Sequence, residues 1–273
     1  MKILFLILAN ILFLISAEAE TIFFTIKTDA PENKELQFCL RIPASQTEVS
    51  RIMVLFGGRN WLPDKTIKSY NFDKLADRHN LFLLSPGFRN DDYWYPETWS
   101  GKALLEAVKY VREKYHLSDS KLLYYGYSAG GQCSNLFYAW SPDLVDAWGA
   151  HACGVWCKPE TLKQAPALIT CGEQDTDRYL LSFAFAQSAR GNGASILWRS
   201  YPTAHGLNPE SLALARAFFE SILSNSEKKI EYAGDDQTLK FYPVPSRHEK
   251  DIEPELKSVF YSIETAKLWQ KQD

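Results

Sequence analysis

The chain has 273 residues, 46% of them apolar and 14% aromatic, enough to bury the core of one large α/β domain. Its net charge of −3 comes from 30 basic and 33 acidic residues spread along the chain. There is no basic block to meet nucleic acid and no acidic run to act as a solvating tail, which leaves a small-molecule or polymeric substrate as the expected partner.

In chain order, Lys2 precedes a short apolar run over residues 3–15, closed by Ser16-Ala17-Glu18-Ala19. One positive charge, an apolar stretch and an Ala-x-Ala end describe an export signal over residues 1–19, cut after Ala19. The run is shorter than the roughly twenty apolar residues that span hydrocarbon. No cysteine stands at the cut to carry a lipid, so the expectation is a secreted or periplasmic chain with no stable membrane anchoring.

Strand-like runs over 21–27 and 36–42 come next, followed by an alternation. Continuous apolar strands are expected over 51–56, 81–84, 121–125, 148–155, 167–171 and 195–201. Helical spacing is expected over 70–79, 101–115, 129–140, 179–190 and 209–223. Short apolar strands alternating with helices make a mostly parallel sheet covered on both faces, with the two leading strands as its antiparallel edge. No repeat or low-complexity linker interrupts residues 20–225. From residue 226 the texture changes: Gly234, Pro243, Pro245 and Pro254 break the pattern before a final helix near 258–269, and Phe260 and Trp269 suggest that this extension, 226–273, packs on the domain.

Gly126-Tyr127-Ser128-Ala129-Gly130 joins a strand to a helix. In that setting G-x-S-x-G is a sharp, strained turn that lifts a serine hydroxyl above the sheet, with glycines where strand and helix come close. The amide of Ala129 opens the helix and faces the same space, where an oxyanion would be stabilised. A nucleophilic serine needs a base, and the base an orienting carboxylate. His205 follows the strand over 195–201, and Glu173, Asp175 and Asp177 follow the strand over 167–171. Asp175 is preferred because the loop has just left the strand there, whereas Asp177 can cap the next helix. His151 is the rival histidine, but its strand comes too early. Gly58, after the strand over 51–56, is the expected second oxyanion donor, since glycine lets backbone approach a ligand; a simple turn is the alternative.

Over residues 36–224 the order of motifs resembles the α/β-hydrolase superfamily. More narrowly, Gly126-Tyr127-Ser128-Ala129-Gly130-Gly131 is similar to the polyhydroxybutyrate depolymerase and feruloyl esterase group. The resemblance implies the α/β-hydrolase fold, a triad of Ser128, Asp175 and His205, an ester substrate, and no metal or organic cofactor. Two features depart from it: Phe56-Gly57 stands where the superfamily commonly has His-Gly, and the extension after 225 has no counterpart.

Trp61, Trp94, Trp99 and Trp156 fall on loops at the carboxyl ends of strands, where open α/β sheets bind ligands, and Tyr93 and Tyr95 flank Trp94. Such rings suit an aryl or sugar-linked ester or a polyester chain, with Trp94 as the substrate contact; packing of the loops is the alternative. The five cysteines, Cys39, Cys133, Cys153, Cys157 and Cys171, match no zinc spacing and read as small buried hydrophobes, a Cys153–Cys157 bridge being the other option. The same triad would also serve a serine peptidase or amidase, and a silent relative would act as a binding module.

Overall fold

Uninterrupted apolar runs can be shielded only in the middle of a sheet with both faces covered, and that is where they lie. A computed structural model describes residues 19–30, 34–45, 50–90, 93–162, 165–225 and 227–271; of the expected export signal, all but Ala19 lies outside them. The chain runs β1 (Glu20–Lys27), β2 (Glu35–Ile42), β3 (Arg51–Phe56), α1 (Pro63–Tyr70), α2 (Asp73–His79), β4 (Leu81–Pro86) and α3 (Gly101–Tyr115). It continues with β5 (Leu122–Tyr127), α4 (Ala129–Trp140), β6 (Val145–His151), β7 (Ala167–Gly172), α5 (Thr176–Gly191), β8 (Ile196–Tyr201) and α6 (Pro209–Ser224). One eight-stranded sheet has the order β1-β2-β4-β3-β5-β6-β7-β8. From β4 to β8 every pairing is parallel, while β1 and β2 form the antiparallel edge.

Neighbouring residues of a strand face opposite sides, and β5 shows which helices cover which. Tyr124 meets Phe56 edge-on, and Phe56 in turn packs on Phe137 of α4. Tyr125 meets Phe72, just before α2, and Phe219 of α6. Helices therefore cover both faces.

Within the main sheet and its helices, two elements differ from the sequence expectation. The helix expected over 70–79 is two helices: Pro63 starts α1, and Asn71, at φ 52°, ends it. Asparagine takes that left-handed conformation at low cost, which a spacing argument does not register. Strand β6 begins and ends earlier than expected, because Ala152, at φ 51°, turns the chain out of the sheet.

The extension holds β9 (Tyr232–Asp235), β10 (Lys240–Pro243), α7 (Arg247–Lys250), β11 (Lys257–Phe260) and α8 (Ile263–Gln270), with the strands ordered β10-β9-β11. Residues 257–260, expected to begin a helix, are a strand, and Ser262 caps the helix that follows. Trp269 is 0% exposed, and its Nε1 donates to the Trp198 carbonyl of β8 at 2.6 Å. Arg190 of α5 donates to Asp236, to Ser258 Oγ and to the Glu255 carbonyl. Among the described residues no helix is long and apolar enough to cross a membrane.

Candidate active site

Ser128 sits between β5 and α4 at φ 57°, ψ −120°, a backbone conformation that a non-glycine residue holds only when its surroundings impose it. The restraints are visible. The Ser128 amide donates to the His151 carbonyl at 2.8 Å. The Tyr127 amide donates to the Tyr70 hydroxyl at 2.9 Å, and that hydroxyl donates to the Phe56 carbonyl at 2.5 Å. Tyr70 thus ties the serine turn to the end of β3. The flanking glycines are a matter of space: a Cβ on Gly126 would lie 2.0 Å from the Gly130 carbonyl oxygen, and one on Gly130 2.0 Å from that of Phe56.

The three residues read as a triad are brought into line. His205 Nε2 stands 3.1 Å from Ser128 Oγ, and His205 Nδ1 stands 2.6 Å from Asp175 Oδ2. In the arrangement that can do chemistry, Nε2 accepts the serine proton and Nδ1–H donates to the carboxylate. The Asp175 side chain is 8% exposed and that of His205 33%, so the carboxylate is sheltered and the imidazole is open to a substrate. Asp175 stands at the N-cap position of α5 without bonding to the helix's own amides through its side chain, and the helix dipole favours a negative charge there. The other Asp175 oxygen accepts from Arg178 at 3.1 Å. The rival carboxylates are elsewhere: Asp177 lies in the first turn of α5, and Glu173 accepts from the Ser200 hydroxyl at 2.8 Å.

Ala129 is the first residue of α4, so its N–H has no acceptor within the helix. Gly58 is buried at the end of the β3 loop. A Cβ there would lie 3.2 Å from the Tyr127 ring and 3.3 Å from Trp61, so a side chain at this position would have to push those rings back by a few tenths of an ångström. Phe56, Gly57, Gly58, Trp61, Pro86, Phe88, Tyr93 and Cys133 enclose a small cavity. Tyr127 packs on His205 at 5.1 Å, and the Trp61 ring packs on Tyr127 at 5.6 Å. Trp94 is half-buried and makes its ring contacts with Tyr93 and Tyr95.

His151, the rival base, is fully buried, with both ring nitrogens engaged: Nδ1 with Thr170 Oγ1 at 2.7 Å and Nε2 with the Gly206 carbonyl at 2.8 Å. Burial pulls its pKa down to about 4. The cysteines all carry free thiols, and Cys153 Sγ donates to the Val155 carbonyl at 3.0 Å rather than bridging to Cys157. Among the described residues no group of three or more His, Cys, Asp or Glu side chains could hold a metal ion.

Sequence reasoning missed Tyr70, Arg178 and Thr170. The helical spacing puts Tyr70 at a helix start, and no local signal marks a hydroxyl that bonds both to the end of β3 and to an amide 57 residues further along the chain.

No family model and no curated protein matches the sequence. Solved structures do match. A ferulic acid esterase superposes with a TM-score of 0.62 at 13% identity, over 76% of this chain and 99% of that one. The chain has the α/β-hydrolase fold. The same fold aligns it with a poly(3-hydroxybutyrate) depolymerase from Bordetella parapertussis, at TM-score 0.55 and 16% identity over 74% and 89% of the two chains. The acylaminoacyl peptidase of Pyrococcus horikoshii matches at 0.60 and 14%, over 77% of this chain and 43% of that one. Ser128 after β5, Asp175 after β7 and His205 after β8 all stand at the carboxyl ends of parallel strands of one sheet, which is why residues distant in sequence meet.

Proposed function

We propose that this chain is a serine hydrolase that cleaves carboxylic esters through an acyl-enzyme on Ser128. The observation that carries the reading is the hydrogen-bonded line from Ser128 Oγ through His205 to Asp175. Ser128 Oγ attacks the ester carbonyl while its proton passes to His205 Nε2, and Asp175 stabilises the imidazolium. The tetrahedral oxyanion is met by the amides of Ala129 and Gly58. Its collapse expels the alcohol, which leaves with the proton from His205. A water, deprotonated by the same nitrogen, then attacks the acyl-enzyme and releases the acid.

Ser128→Ala is expected to remain folded and to lose several orders of magnitude in kcat, and His205→Ala to lose nearly as much. Asp175→Asn should cost less than either and far more than Asp177→Asn. Reaction with a fluorophosphonate probe, lost in Ser128→Ala, separates the enzyme from a silent binding relative; a wild-type chain that fails to label ends the reading. The peptidase alternative draws support from the likeness to the acylaminoacyl peptidase fold. A panel of p-nitrophenyl esters beside peptide amides distinguishes the two, and short acyl or hydroxycinnamoyl esters are expected to lead. Residues 1–19 fit an export signal, so the protein recovered from outside the cytoplasm should begin near Glu20.

A further inference from the structure

Three loops must hold register for Ser128, His205 and Asp175 to stay aligned, and one residue touches two of them and the strand that leads to the third. The His151 carbonyl accepts the Ser128 amide at 2.8 Å. Its Nε2 meets the Gly206 carbonyl, next to His205, at 2.8 Å. Its Nδ1 meets Thr170 Oγ1 at 2.7 Å, on β7, whose end leads to Asp175.

We infer that His151 is a positioning residue for the triad: a neutral imidazole, held in one tautomer by the Gly206 carbonyl and steadied by Thr170, that sets the height of the His205 loop over the nucleophile. The inference rests on the serine-hydrolase reading above. Its chemistry follows from the partners. A carbonyl oxygen only accepts, so Nε2 carries the proton and donates to Gly206. A neutral ring then has a lone pair at Nδ1, and the Thr170 hydroxyl must donate to it. Burial opposes a second proton on His151, and so does the charge that His205 takes on, outweighing Asp175 and the Gly206 carbonyl, which favour it. During turnover His205 can thus become an imidazolium while its neighbour stays neutral and keeps its bond to the loop. The other bonds of this region hold different atoms: Glu173 and Gln174 amides reach Tyr201 and Thr203, and Asn208 caps α6. Ala152, the next residue along, turns the chain out of the sheet at φ 51°, and Ser128, whose amide the His151 carbonyl accepts, is held at φ 57°.

The test uses the full chain and compares His151→Leu, which loses both ring contacts, with His151→Gln, whose amide can still donate to Gly206. The expected result for His151→Leu is a fall of about 100-fold in kcat, and an equal fall in the rate of fluorophosphonate labelling, with KM changed less than about threefold. His151→Gln should recover about tenfold or more of that loss. Thr170→Val, which keeps shape and removes the hydroxyl, should cost about tenfold in kcat, and Thr170→Ser should restore it; this pair carries the test if His151→Leu does not fold. A folded His151→Leu or a Thr170→Val enzyme within about threefold of wild type overturns the inference, as does a loss that tracks thermal stability and is not rescued by glutamine or serine. If Ser128→Ala keeps full esterase activity, it is the serine-hydrolase reading that fails.

Discussion

At the scale of single residues, two buried side chains hold the backbone around Ser128 and His205. The Tyr70 hydroxyl satisfies a carbonyl at the end of β3 and an amide beside Ser128, and burial pushes its pKa well up, so it stays a neutral donor. Tyr70→Phe leaves both backbone groups dry and unpaired, at a cost of about 2–3 kcal/mol. Urea unfolding should show that loss together with a lower kcat, since the strained serine turn also loses a restraint; an unchanged midpoint would remove Tyr70 from this role. His151 links folding to pH. Its pKa falls from 6.5 to about 4 on folding, so between those values the unfolded chain binds more protons than the folded one. Its contribution, about 3 kcal/mol, is therefore complete above pH 6.5 and lost as pH falls toward 4. Wild type should lose more stability across that window than His151→Gln; equal slopes would show that the acid sensitivity comes from other groups.

At the scale of elements, the junction between β5 and α4 is a matter of space as well as of polar bonds. The elbow works because β5 and α4 approach so closely that no side chain fits between them. Gly126→Ala and Gly130→Ala each set a methyl group about 2 Å from a backbone oxygen, and rigid backbone on both sides leaves nothing to move. Both variants are expected to be recovered unfolded or aggregated, by circular dichroism and gel filtration, whereas Ser128→Ala is recovered native. A native, active Gly130→Ala would refute the packing described here. The strand–turn–helix signal was legible because local residues alone decide it. The break between α1 and α2 was not, because it depends on Asn71 adopting a left-handed conformation inside a stretch with helical spacing.

At the scale of the whole molecule, the extension is joined to α5 and β8 by a buried ion pair. The Arg190 and Asp236 side chains are 2% and 3% exposed and 2.6 Å apart. Removing one partner strands a charge in the interior, at a cost of about 3–5 kcal/mol, while replacing both with apolar residues costs much less. Arg190→Met alone should therefore unfold at much lower urea than Arg190→Met with Asp236→Leu. If the double variant is the less stable of the two, the pair is worth its desolvation and more.

What the sequence by itself determined about this protein is the part written in local rules: the order of strands and helices, the antiparallel edge, the serine turn, and a histidine and a carboxylate after the right strands. Apolar period, glycine at the turn and chain order are properties of short windows, and they survive folding unchanged. Only the tertiary structure decided which carboxylate meets His205, that Trp61 rather than Trp94 lies against the serine turn, and that His151 and Tyr70 clamp it. Those outcomes depend on atoms up to 77 residues apart in the chain being brought into contact. Strand register and the turns at Asn71 and Ala152 set those distances, and no local pattern encodes them.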